Sequence, residues 1–312
     1  MPLAYLLYYL VFIPLSYLPW SVMYGVSAAL EWLNWHLVGY RKAVVVDNIR
    51  RSFPAYTERE VTRLARDYYG FFFDSVAESV KLFSMSEGAA VRRCRVVNPE
   101  VVDHLRVAGR SFIAYGAHFS NWEIAALSFQ PQFAGFQVMG IYSPLNNAVL
   151  DRLFRVNRGR TGTQLVSRRV VQEYFDTHDG TPTVEFFVAD QSPSNARWQK
   201  LHWTEFLGRT TAFLAGPERY AVRHDRPVYY MNLRRQGRGY YTAKLIPITD
   251  EPRETEPGFI TECFARRLEH EIRRDPATWL WSHRRWKRGV PDRVAELLRT
   301  KDHLPPEYDP EG

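Results

Sequence analysis

The chain opens on a long stretch without charge. No side chain from Met1 to Leu30 is ionisable as an acid or base near neutrality, and Leu3 to Trp20 is almost wholly apolar. The apolar character continues less purely to Val38; the first charge is Glu31 and the first basic residue Arg41. A run of about 20 apolar residues is long enough to cross a bilayer. Pro14 and Pro19 would kink or break a helix there, so residues 1–40 read as a membrane anchor, either one tilted span or a hairpin sunk in one leaflet. Tyr5, Tyr8, Tyr9, Tyr17, Trp20, Tyr24, Trp32, Trp35 and Tyr40 supply candidates for interfacial anchoring. A secretory signal would carry an early basic region, and this segment has none. The basic residues Arg41, Lys42, Arg50 and Arg51 follow the run, which by the positive-inside rule puts the rest of the chain on the cytoplasmic side.

Beyond the anchor the pattern changes to that of an α/β protein. Thr57 to Met85 has helical character with an aromatic patch at Tyr68, Tyr69, Phe71, Phe72 and Phe73. Buried strands are expected at Ser111–Ala117, Phe136–Tyr142, Gln164–Val166, Thr183–Ala189, Pro227–Leu233 and Tyr240–Pro247, the last two as a hairpin around Gly237–Gly239. Helices are expected at Asn121–Phe129, Asn147–Val156, Arg169–Thr177, Thr211–His224 and Gly258–Arg274. This organisation makes residues 41–300 the folded domain. The tail 301–312 is polar and Pro-rich, and reads as flexible.

Composition narrows the partners. The chain of 312 residues carries 41 Lys and Arg against 34 Asp and Glu, for a formal net charge of +7. Arginine dominates, and its planar fork suits phosphate and carboxylate. A basic surface fits an anionic membrane, an acidic carrier protein or nucleic acid; the uncharged N-terminus and the lack of a nucleic-acid motif argue against the last. Cys94 and Cys263 form no CxxC pair, and no histidine spacing resembles a metal site, so neither a disulfide framework nor a metal is expected.

The candidate chemistry lies in Gly116-Ala117-His118-Phe119-Ser120-Asn121-Trp122-Glu123. His118 and Glu123 are five residues apart, which on a regular helix would make them diverge. Ser120 followed by Glu123 has the form of a capping box, which would start a helix at Ser120 and leave His118 in the loop at a strand end. A neutral imidazole there suits a general base for a hydroxyl, with a carboxylate to fix its tautomer. An isolated pair of this spacing is common by chance, and a capping glutamate beside a loop histidine explains it equally well.

Context favours the chemical reading. The chain resembles the bacterial late acyltransferases of lipid A biosynthesis, the lauroyl/myristoyl family within the lysophospholipid acyltransferase superfamily. His118 and Glu123 match the superfamily's H-x4-D/E motif. Ser167-Arg168-Arg169 resembles the family's arginine block. Val188-Ala189-Asp190-Gln191, with Phe206-Leu207-Gly208 and Thr210-Thr211-Ala212, resembles its third block, and Pro276 to Lys287 its C-terminal signature. Asn48 to Pro54 and the anchor also fit, so the likeness covers roughly residues 1–290. Asp190-Gln191 stands where glycerolipid acyltransferases carry Glu-Gly, a departure that favours the lipid A branch. The resemblance implies a glycerolipid acyltransferase-like fold, a mixed sheet flanked by helices. It implies acyl transfer from a thioester of acyl carrier protein or CoA to a hydroxyl of a lipid A precursor at the bacterial inner membrane, without a cofactor. His118 would be the base, oriented by Glu123; Arg168, Asp190, Arg169, Asn121 and Arg158 are candidate substrate contacts. Trp279, Trp281 and Trp286 read as packing residues, and Arg284 and Arg285 as candidates for phosphate. The same dyad would serve a glycerophospholipid, phosphoinositol mannoside or aminolipid acceptor.

Overall fold

The computed structural model describes residues 2–178, 180–193, 200–292 and 294; the tail 301–312 lies outside them. The apolar N-terminus forms two helical arms, Ala4–Tyr17 and Trp20–Val38, bent by 117°. Among the described residues no single helix is long and apolar enough to cross a membrane, whereas this bent pair passes that test jointly. The break is at Leu18, whose ψ of 148° leaves the helical region directly before Pro19, as the clash with a following proline ring favours. Pro14 sits inside the first arm, where the helical run continues through it, so the chain bends at Leu18–Pro19 and not at Pro14. The carbonyls freed at the bend are taken up by Lys81, whose Nζ lies 2.5 Å from Ser16 O and 2.6 Å from Leu18 O.

Lys81 ends the long Glu58–Lys81 helix, which starts with the reciprocal capping box of Thr57 and Glu60. The second arm packs along this helix. Ser27 donates to buried Asp74 at 2.7 Å, and Arg235 and Arg238 close on the same carboxylate. Outward, Leu6, Tyr9, Leu10, Tyr17, Trp32, Leu37 and Val38 are exposed. The anchor therefore has a polar, pinned inner face and an apolar outer one.

The domain is built on a seven-stranded mixed sheet. Its strands are β1 (Cys94–Val96), β2 (Phe112–Gly116), β3 (Gln137–Tyr142), β4 (Gln164–Ser167), β5 (Thr183–Val188), β8 (Val228–Gly237) and β9 (Tyr240–Thr249), in the order β1-β9-β8-β2-β5-β3-β4. Only the β8–β9 hairpin is antiparallel; the other pairs are parallel. β2 lies between β8 and β5 and is buried at every position, as its sequence FIAYG requires. Tyr115 projects into one layer and stacks on Phe264 of the Phe259–Arg274 helix at 3.9 Å between ring centres. Phe112 projects into the other layer, against Phe136 and Tyr229.

The segment expected as one helix from Thr211 to His224 divides differently. β6 (Leu201–Phe206) and β7 (Arg209–Leu214) form an antiparallel ribbon, and the helix is only Gly216–His224. Leu207 and Gly208 connect the strands with φ of 54° and 70°. Two left-handed residues in a two-residue loop give the twist a tight hairpin needs, and that turn, not helical periodicity, decides this stretch.

Glu78 ties these layers together. It is fully buried and accepts from Tyr24 of the second arm (3.2 Å), Tyr241 of β9 (2.7 Å) and Asn121 (2.8 Å). Burial pushes its carboxyl upward in pKa, and these donors oppose the shift. Glu78→Ala would strand two buried donors, Tyr241 and Asn121, at roughly 1–3 kcal/mol each, and free the half-buried Tyr24, so a loss of about 2–6 kcal/mol is expected. Glu78→Gln keeps an acceptor and should be mild. Thermal unfolding in detergent measures both, and an alanine variant melting with wild type would show that the three contacts contribute nothing.

Candidate active site

His118 stands just past the carboxyl end of β2 and Asp190 just past that of its neighbour β5. Parallel strands place such loop residues side by side, which is where open α/β sheets form their sites. Asp190 Oδ1 accepts from the His118 backbone N–H at 3.0 Å and lies 2.7 Å from its Nδ1. The other oxygen accepts from Trp279 Nε1 at 2.9 Å. Burial alone would raise the Asp190 pKa, but the His118 ring and these donors outweigh it and hold the carboxyl at about 2. An ionised carboxylate only accepts, so His118 carries its proton on Nδ1 and its free lone pair on Nε2. That nitrogen lies 3.1 Å from Gln191 Nε2.

The loop after β2 is shaped by the C-terminal signature. Ser120 adopts φ of 56°, its N–H reaches Thr278 O at 2.9 Å, and Phe119 bridges to Trp279. The expected capping box does not form. The helix is Trp122–Ser128, Asn121 holds the cap position, and no side chain caps it. Glu123 is engaged elsewhere: Arg158 of the Ala148–Gly159 helix grips both its oxygens, at 2.9 and 2.5 Å. A two-pronged charge-assisted bond is stronger than a bond to one amide. Hence the hydrogen bond that holds the His118 ring comes from Asp190, and the orientation expected from Glu123 is not what the geometry displays. Arg158 also lies over the Trp122 ring, 5.5 Å from its centre.

The remaining candidates disperse. Asn121 is buried and lines the His118 cleft, but its side-chain amide is committed to Glu78. Arg168 and Arg169 are exposed on the turn after β4, outside the walls of the His118 cleft. Arg284 is exposed, but Arg285 is only 2 % exposed; it donates to Ala212 O at 2.7 Å and lies over Phe213, so it is not placed for a phosphate. Trp281 and Trp286 pack as expected, whereas Trp279 reaches the site through Asp190. Gln191 and His283 were not singled out from the sequence. His283 Nε2 accepts from the Ser192 N–H at 2.9 Å, holding the backbone just beyond Gln191. The usable signal for both was their place beside Asp190 and within the C-terminal signature. Among the described residues no group of His, Cys, Asp and Glu could hold a metal.

The cleft in front of His118 has a volume of about 340 Å³. Glu123, Trp122 and Trp279 line it beside His118, and its far walls are apolar: Phe72, Val76, Val80, Phe83 and Phe154, with Phe12 from the first arm. Phe12 stacks on Phe83 at 5.7 Å. The apolar first arm thus forms part of the wall of the cleft that holds the histidine.

A family model for bacterial lipid A biosynthesis acyltransferases matches residues 2–288. The chain belongs to that family. No curated protein matches it. As a member, this acyltransferase carries out acyl transfer in lipid metabolism, and both the apolar N-terminal arms and the Pro276–Lys287 segment fall within the matched region.

The site predicts an acid response. Burial draws the His283 pKa from 6.5 to about 4, with Arg285 and Lys287 adding to the shift and Asp190 opposing it. Between those values the unfolded chain binds a proton that the folded chain refuses, so this group's contribution to stability falls as pH drops from about 6.5 to about 4 and then levels off. Melting curves across that window should show a shallower decline in His283→Gln than in wild type. Parallel curves would mean that His283 titrates alike in both states.

Proposed function

We propose that this acyltransferase transfers a fatty acyl chain from acyl carrier protein to a hydroxyl of a lipid A precursor, with His118 as general base. The observation that carries this reading is the His118 ring held through Nδ1 by buried Asp190 at the edge of a cleft with apolar far walls. Nε2 takes the proton of the acceptor hydroxyl as its oxygen bonds to the thioester carbonyl carbon. The tetrahedral intermediate collapses, the carbon–sulfur bond breaks, and the imidazolium returns the proton to the departing thiolate. Asp190 keeps the tautomer and steadies the imidazolium, the part assigned from sequence to Glu123. Glu123 instead holds Arg158 in one orientation, so that its cation can meet the oxyanion or an acceptor phosphate.

The apolar far walls suit lipid chains, and a cleft walled partly by Phe12 suits an acceptor arriving from the bilayer. The basic residues that follow the anchor favour the cytoplasmic side of the bacterial inner membrane. The net charge of +7 suits an anionic donor such as an acidic carrier protein. Arg168 and Arg169, being exposed, fit contact with an anionic partner better than contact with the reacting carbonyl.

Mass spectrometry of the products formed from a lipid A precursor, a lysophospholipid and an acylated mannoside tests the acceptor; transfer confined to either of the latter two would overturn it. Kinetics test the residues. His118→Ala and Asp190→Asn should each reduce turnover by about 10²–10⁴ with folding intact, the usual range for losing a positioned base. Glu123→Gln should cost less turnover and act more on the Michaelis constant, because one prong to Arg158 survives. A severe turnover loss in Glu123→Gln beside a near-normal Asp190→Asn would return the orienting role to Glu123.

A further inference from the structure

The reactive nitrogen of His118 is already occupied. Gln191 places its side-chain amide 3.1 Å from Nε2, at the position an acceptor hydroxyl must take to give up its proton. Asp190 fixes Nδ1 as the protonated nitrogen, so Nε2 accepts and the Gln191 NH2 donates. The histidine cannot turn away, because Asp190 grips both its ring and its backbone N–H. The backbone around Gln191 is equally held, by the bonds of Asp190 on one side and by His283 at Ser192 on the other. The Gln191 side chain itself is exposed, so it can swing off Nε2 by side-chain rotation alone, a motion of picoseconds to nanoseconds.

We propose that the Gln191 carboxamide caps the base until the acceptor displaces it, and thereby sets the partition between acyl transfer and hydrolysis of the donor. The inference rests on His118 being the base. With Nε2 uncovered and no acceptor bound, a water there would lose a proton to Nε2 as its oxygen attacks the thioester carbonyl. The carbon–sulfur bond would break, the thiol would leave with that proton, and a free fatty acid would result. The amide hydrogen bond to Nε2 must be broken before such a water can use that lone pair. The acceptor hydroxyl makes the same single hydrogen bond as water, but its chains also bind the cleft, and that binding drives the exchange. The site therefore admits a hydroxyl attached to a lipid and resists a free one.

The test uses the full chain in detergent with an acyl-thioester donor, reading thiol release without acceptor and acylated product with it. Gln191→Ala and the similarly sized Gln191→Leu should both raise thiol release about tenfold or more over wild type, the scale of one lost hydrogen bond. Transfer should stay within about threefold of wild type. An unchanged ratio of hydrolysis to transfer in both variants, or equal loss of both reactions at a wild-type melting temperature, would overturn the proposal. So would a rise in Gln191→Ala alone, since bulk and not the hydrogen bond would then be the barrier. Adding His118→Ala to Gln191→Ala separates the two levels of the argument. Loss of the extra hydrolysis supports both, whereas its persistence refutes His118 as the base.

Discussion

One buried carboxylate organises the site. Asp190 receives two bonds from His118 and one from Trp279, and so joins the ends of two parallel strands to the C-terminal signature. A bare charge at that depth would be costly, and the surrounding donors make it tolerable. The requirement runs both ways. The donors must be where Asp190 is, so the loop after β2, the loop after β5 and the Thr278–Trp279 turn have little freedom to move independently. The backbone bond from Ser120 to Thr278 and the Phe119–Trp279 bridge express the same constraint on the main chain.

From that point the constraint spreads outward through Asn121. Its side chain carries the position of the loop to Glu78, which also holds β9 and the second N-terminal arm. The arms are thus joined to the His118 loop by polar bonds, while their outer surface is apolar. Lys81 reinforces the arrangement at the bend, where two carbonyls released from helical bonding meet one ammonium. The N-terminal arms and the His118 cleft form a continuous structure, with Phe12 contributing to both.

The pairing of Glu123 with Arg158 shows how a familiar spacing can hide a division of labour. Five residues separate His118 from Glu123, and they share a cleft, yet each carboxylate near the cleft has a different partner. Asp190 serves the imidazole and Glu123 the guanidinium. An arginine held through both nitrogens presents its charge in a fixed direction, which is what stabilisation of a developing anion requires.

Local signals in the sequence determined a good deal. Unbroken apolar runs marked β2, β3 and β5, and uncharged length marked the anchor, because burial and membrane contact both depend on the side chains of one short segment. The Thr57 cap and the break before Pro19 are equally local. The membership of His118 and Asp190 in one site was legible as two polar residues ending two apolar strands. Tertiary structure decided the rest. The ribbon of β6 and β7 turns on a left-handed pair at Leu207 and Gly208 that periodicity does not reveal. Which carboxylate holds His118, what Glu123 binds, and what covers Nε2 are questions of distance between residues 35 to 73 positions apart. Hydrogen bonds of about 3 Å depend on how strands are ordered in the sheet and how loops pack across it, and neither is written in the neighbouring sequence.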